Sequence, residues 1–303
     1  MKLNSLMKRG FPMTIKKGLY NIIAVVRSGN RQQGEAARHA RRAARRKFSF
    51  SQMVFGITMV FLFLPLVILI FSSFNASTSM RWTGFSLRWY ERLFSERELW
   101  RSFWNSIIIA VSSAFTATAI GTFGAIGVNW YRFRLRNYVQ TVSFLPMILP
   151  EIIIGVSLSI FFAGAGVPLG LFTIYVAHTT FNLPFVFLMV MARLDEFDFS
   201  IIEAAQDLGA NEKQTLMKVT LPVCMPGIIS GMLTAITLSL EDFVITFFVA
   251  GPGSSTLPIF IFSAITRKGS VTPVVSALSV VMILGTVFLT YMLRNFLKYI
   301  AAK

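Results

Sequence analysis

The chain has 303 residues, of which 54% are hydrophobic and only 14% charged, and its mean hydropathy is +0.65. A soluble domain carries about 25% charged residues, so the composition excludes an ordinary soluble enzyme and predicts an all-α membrane protein. The net charge of +16 sits mostly at one end, where residues 1–47 hold thirteen Lys or Arg against the single acid Glu35.

Residues 1–50 are therefore expected to form a basic cytoplasmic tail, and residues 51–303 the membrane domain. Between Gly34 and Lys47, Arg38, Arg41, Arg42, Arg45 and Arg46 recur at three- and four-residue spacing among alanines. A surface helix would gather them on one face, suited to anionic lipid headgroups. Membrane lipids, not nucleic acid, are the partner this implies. Met7 and Met13 leave a later start site open.

Six apolar blocks follow, each near the roughly 20 residues that cross a bilayer. The first, about Met53 to Phe74, is longer than a signal-peptide core and lacks a small-residue cleavage site, so it is expected to remain as a span. The second runs from Ser106 to Trp130. The third, Val139 to Ala163, is interrupted by Pro146 and Pro150, and the fourth, Leu169 to Met191, contains Pro184. The fifth runs from Pro226 to Ala250 and the sixth from Pro273 to Phe296. If the tail, the 131–138 and 192–225 loops and the C-terminus share a side, that side holds 22 basic residues and the other seven. The basic side is cytoplasmic, which puts both termini inside. Trp82, Trp89, Trp100 and Trp104, outside the first pair of spans, are expected to form an interfacial belt.

The cytoplasmic segment from Asp195 to Gly227 carries strong helix signals. Ser200-x-x-Glu203 reads as a capping box, and Gly209 as a left-handed helix stop. Asn211 with Gln214 opens a second short helix that Pro222 is expected to end. The result is a helix–turn–helix hairpin (195–225) at the inner membrane face. Its residues resemble the EAA motif of ABC importer permeases. Glu203, Ala204, Ala205, Gly209, Leu221 and Pro222 match at the motif's spacing, and Val219 stands where the motif has Ile.

The resemblance implies a type I (MetI-like) permease fold of six transmembrane helices in the bacterial inner membrane. It also implies a partner permease subunit, identical or homologous, two ATP-binding-cassette ATPase subunits and a periplasmic substrate-binding protein. The hairpin is then the coupling helix that docks on the ATPase. Ala204 and Ala205 allow close approach, and Glu203 makes charge-assisted hydrogen bonds within the hairpin or across the interface. ATP and Mg are expected on the partner ATPase, with no cofactor or metal on this chain. The chain contains no G-x-x-x-x-G-K-[ST], H-E-x-x-H or G-x-S-x-G, so it is read as a transport subunit and not an enzyme.

Most of the chain beyond Phe50 resembles the spermidine/putrescine branch of these permeases, through FNASTSMRWTGFSLRWY, AHTTFNLPFV and SLEDFVITFFVAGPGSSTLPIFIFS. A cationic substrate suits three carboxylates inside the expected spans, Glu151, Glu241 and Asp242. Intramembrane charges are costly and face a cavity, a path or a partner. Adjacent Glu241 and Asp242 would point about 100° apart on a helix, so both are not expected to line one path. Pairing with Arg267 or Lys268 is the structural alternative. Related permeases carry other cations, opines or phosphonates, and an ion-coupled secondary transporter would also use intramembrane acids, though the hairpin has no role there.

The two histidines are His39 in the tail and His178 in the fourth span, near Asn182, where an interhelical hydrogen bond is expected. The single Cys224, beside two prolines, is expected to be a small packing residue.

Overall fold

The computed structural model describes residues 50–301, apart from 79–80, 132, 197, 199 and 269–272. The basic-tail helix expected before residue 50 lies outside the described residues. Described elements are helical: α1 (Phe50–Ser73), α2 (Arg88–Ser95), α3 (Arg97–Trp130), α4 (Arg136–Ser143), α5 (Leu145–Ile148), α6 (Glu151–Gly164) and α7 (Leu171–Asp195). They continue with α8 (Ser200–Asp207), α9 (Glu212–Thr215), a π turn (Leu216–Thr220), α10 (Leu221–Glu241), α11 (Val244–Val249), α12 (Leu257–Lys268) and α13 (Pro273–Ala301).

Four continuous stretches are long and apolar enough to cross a membrane: α1, α3, α7 and Glu212–Glu241. The block expected at Val139–Ala163 is broken, because α4–α5 and α6 meet at 105° across Leu149–Pro150 and together form a fifth candidate. Proline at 150 removes a donor and disfavours helix at the residue before it. The apolar part of α13, Pro273–Phe288, is shorter by the same measure, although the helix itself has 29 residues.

The core is made by α3, α7 and α10. In a bilayer the lipid tails are as apolar as leucine, so helices associate through close packing and small residues. The buried stripe of α3 is accordingly small, including Ala110, Ala114, Ala117 and Ala125. Val186 of α7 is gripped from two sides. A Cβ at Gly121 of α3 would lie 3.0 Å from its Cβ, and one at Gly231 of α10 would lie 3.1 Å from its Cα. Gly227, four residues before Gly231, presses on the carbonyl of Met189 at 2.9 Å by the same measure. Cys224 is buried in this cluster, as expected of a packing residue.

A second cluster joins α6, α7 and α11 through Ile154, Phe162, Ile174, Phe181, Ile245 and Val249. The loop after α11 is tied down from α3 and α7. Asn105 Nδ2 donates to the Ser255 carbonyl at 2.9 Å, the Leu257 N–H to Ser106 Oγ at 2.8 Å, and Thr173 Oγ1 to the Val249 carbonyl at 2.7 Å. The tryptophan belt is only partly as expected. Trp82 and Trp104 are exposed, but Trp89 is buried and its indole N–H donates to the Asn75 carbonyl at 2.7 Å. This buried tryptophan therefore ties α2 to Asn75 rather than lying in an exposed belt.

Candidate functional site

Two regions gather the residues singled out in the sequence. The first is the hairpin. α8 ends as Gly209 adopts φ +86°, a conformation open to glycine at little cost. The Gly209 N–H donates to Gln206 O at 2.8 Å and the Ala210 N–H to Ala205 O at 3.0 Å, the paired bonds of a Schellman stop. Asn211 Oδ1 accepts from the Gln214 N–H at 2.9 Å, and Gln214 Oε1 accepts from the Asn211 N–H at 3.0 Å. This is the reciprocal box the sequence predicts.

Two local expectations are corrected. Ser200 is the first helical residue rather than the cap; Asp198 Oδ1 accepts its N–H at 3.0 Å. That bond and the Ser200 hydroxyl hold the Asp198 carboxyl below the usual range. Pro222 also does not end the second arm. The chain runs from Glu212 through the π turn into α10 without a break, and the Leu221 N–H reaches back five residues to Leu216 O. The wider π turn gives room to the proline ring, and its missing N–H falls in the first turn of α10, where it is tolerated.

Glu203 and Ala204 are exposed, as are the apolar Ile201, Leu208 and Met217; Leu208 is 90% accessible. Leu221 and Pro222 lie at the base of the second arm. A cavity of about 640 Å³ beside the hairpin is lined by Asn129, Trp130 and Arg136 on one side and by Glu203, Gln206 and Glu212 on the other.

The second region is a break inside the fifth apolar block. α10 stops at Glu241, Asp242 and Phe243 are not helical, and α11 restarts at Val244. The break, not a 100° helical step, parts the two acids. Glu241 is exposed, whereas Asp242 is buried at 9% accessibility. Asp242 Oδ1 accepts the Ile245 N–H at 3.2 Å, and Oδ2 accepts the Thr246 N–H at 2.8 Å and the Thr246 hydroxyl at 2.6 Å. It thereby satisfies the first donors of α11, where helix polarity favours an anion.

His178 of α7 completes the arrangement. Its Nε2 lies 3.1 Å from Asp242 Oδ2 and 2.8 Å from Thr246 Oγ1, and its Nδ1 lies 2.6 Å from Ser239 Oγ. Ser113 of α3 reaches Ser239 at 3.4 Å. The interhelical hydrogen bond expected of His178 is thus present, with partners on α10, on α11 and in the break between them.

Glu151 opens α6 directly after the 105° bend, is exposed, and lies within electrostatic reach of both Asp242 and Glu241. The three candidate carboxylates therefore lie near one another, with two exposed and one enclosed. Among the described residues neither Glu151 nor Glu241 has an ion-pair partner, and the Arg267 guanidinium bonds Ser263 of its own helix.

A hairpin of this pattern on a helical membrane scaffold broken at intramembrane acids defines a binding-protein-dependent permease, and the comparisons agree. Residues 117–302, more than half of the chain, match the family described as binding-protein-dependent transport system inner membrane component. The chain belongs to this family of ABC importer permease subunits, whose ATPase is a separate subunit. Among curated relatives, it is 40% identical over 228 residues to the spermidine/putrescine transport system permease protein PotC of Haemophilus influenzae, covering 75% of this chain and 88% of that one. It is also 40% identical over 243 residues to the putrescine transport system permease protein PotI of Escherichia coli, covering 78% and 85%. Among solved structures, a bacterial alginate ABC importer matches with TM-score 0.60 at 17% identity, over 82% of this chain and 98% of that one. The MetNI methionine transporter matches with TM-score 0.55 at 21% identity, over 67% and 95%.

Sequence reasoning singled out Glu151, Glu241 and Asp242 and expected an interhelical hydrogen bond from His178, but left out Ser239 and Thr246. The available signal was Asp242 with Thr246 four residues on, opposite the one histidine of the spans.

Proposed function

We propose that this chain is a permease subunit of an ATP-driven polyamine importer in the bacterial inner membrane. It crosses the membrane six times with both termini in the cytoplasm, α13 being the sixth span and the bent α4–α6 segment the third. It works beside an identical or homologous permease, two ATPase subunits that bind ATP and Mg, and a periplasmic protein that delivers substrate. The observation that carries the reading is the convergence of Glu151 and Glu241, exposed and, among the described residues, without an ion-pair partner, at breaks in two apolar segments. A pore shared with a second permease would run beside them. Half-helix ends at a membrane midplane are a recurrent way to hold ions.

A polyamine is a chain of ammonium groups separated by methylenes. Each ammonium leaving water needs an oxygen acceptor and an opposite charge, which the two glutamates supply. Asp242, enclosed behind them, adds negative field without contact. At the inner face, Leu208, Ile201 and the small Ala204 offer an apolar, closely approachable surface to the ATPase. Closure of the ATPase dimer on ATP moves the hairpin. Because the second arm is continuous with α10, the displacement passes along that helix to Glu241 at its far end, opening the path outward; hydrolysis resets it.

The test is uptake of radiolabelled spermidine and putrescine by cells lacking this chain, with and without its gene restored. Uptake that falls on deletion and returns on restoration supports the reading. Unchanged uptake of both would move the substrate elsewhere while leaving the permease family intact.

A further inference from the structure

We infer that His178 is a positioning residue for cation import: it fixes the buried Asp242, and with it the negative charge that lies behind the exposed glutamates. The inference rests on the polyamine reading for its substrate but on the network itself for its mechanism.

The donors and acceptors close in one arrangement. Asp242 offers only acceptors and takes the Ile245 and Thr246 N–H groups and the Thr246 hydroxyl. His178 Nε2 must then be the protonated nitrogen, facing Asp242 Oδ2 and Thr246 Oγ1. A bare Nε2 there would set two acceptors against each other. Nδ1 of the neutral ring accepts from the Ser239 hydroxyl, which in turn accepts from Ser113. Every member is satisfied with a neutral histidine and an ionised aspartate, leaving one buried negative charge.

Among the described residues, the other ionisable groups around the network are Glu241 at the end of α10 and Glu151 at the start of α6. From α3 a hydroxyl enters it, from α11 a hydroxyl and two backbone N–H groups, and the Tyr175 phenol of α7 is taken by Thr116 at 2.8 Å. None of these is a cation that competes with His178 for Asp242.

Two measurements on the assembled transporter test this. The first is the KM for spermidine uptake into proteoliposomes, comparing the wild type with His178→Ala, which cannot donate to Asp242, and His178→Gln, which can. Losing the donor that fixes Asp242 is expected to raise KM about tenfold in His178→Ala, with the maximal rate changing less than about twofold. His178→Gln should recover most of that loss. An equal rise in both variants, or no rise in His178→Ala, overturns the inference.

The second needs no substrate, and so separates failure of this inference from failure of the polyamine reading. The chain has only His39 and His178, so a His39→Gln background leaves one histidine to observe by nitrogen-15 solid-state NMR. A ring with a proton on Nε2 is the expected result. A bare Nε2 overturns the inference whatever the substrate.

Discussion

The cytoplasmic hairpin and the intramembrane break both stop one helix and start another within a few residues, and they do so by different means. In the hairpin every device is local. Gly209 turns left-handed, Asn211 and Gln214 cap each other, and Asp198 caps from two residues away. At the break no glycine or proline is present; Asp242 caps α11, and His178, on another helix, fixes Asp242 in turn. A hairpin in water can exchange each lost bond for a water molecule. A break in the membrane has no such reserve, so its polar groups must be closed by partners from elsewhere in the chain. Mutations in the two regions should therefore differ in kind as well as in size.

The largest effect is expected for Asp242→Ala. Each buried donor left without its acceptor costs about 1–3 kcal/mol, and this change strips two backbone N–H groups as well as the His178 and Thr246 side chains. Thermal unfolding of the purified complex should show this as a marked fall in Tm and in yield. If the loss were no greater than that for a hairpin cap, the contrast between the regions would collapse.

Next come Glu151→Gln and Glu241→Gln. These residues are exposed and, among the described residues, without an ion-pair partner, so Tm should hardly move. Each should raise the KM for cation uptake about tenfold, equivalent to about 1.4 kcal/mol. Undiminished affinity in both would remove the physical case for a cationic route between them.

The same contrast explains what the sequence could reveal. The Gly209 stop and the Asn211–Gln214 box were legible because their physics is contained in a few adjacent residues. Even there, Ser200 competed with Asp198 for the cap, and the π turn that carries Pro222 into α10 left no mark. In the membrane, composition and charge asymmetry located the apolar blocks, and the cost of intramembrane charge picked out Glu151, Glu241 and Asp242. The break was illegible because the run from Ser239 to Phe248 contains no helix breaker. What ends α10 is a capping carboxylate held by a histidine on another helix, and that pairing exists only after packing.

Within the hairpin the effects are smaller and functional. Gly209→Val forces a β-branched residue into a left-handed conformation, at a cost of about 1–2 kcal/mol. The complex should assemble, but transport per ATP hydrolysed should fall several-fold in reconstituted vesicles. Normal coupling in that variant would count against the hairpin as the lever. Asn211→Ala removes one cap, worth about 1 kcal/mol, and should lower the same ratio by less.

The smallest effect is that of pH on the hairpin. Asp198 is held below the ordinary carboxylate range by the Ser200 N–H and hydroxyl. A carboxyl depressed on folding contributes stability that is present above its unfolded value and is lost only as pH falls through the folded one. Its cap should therefore stay intact from pH 8 down to pH 5, and transport per ATP hydrolysed, measured over that range, should stay level. A ratio that fell would place a titrating group in the hairpin; if that group is Asp198, Asp198→Asn, which keeps an acceptor oxygen but cannot titrate, should abolish the fall.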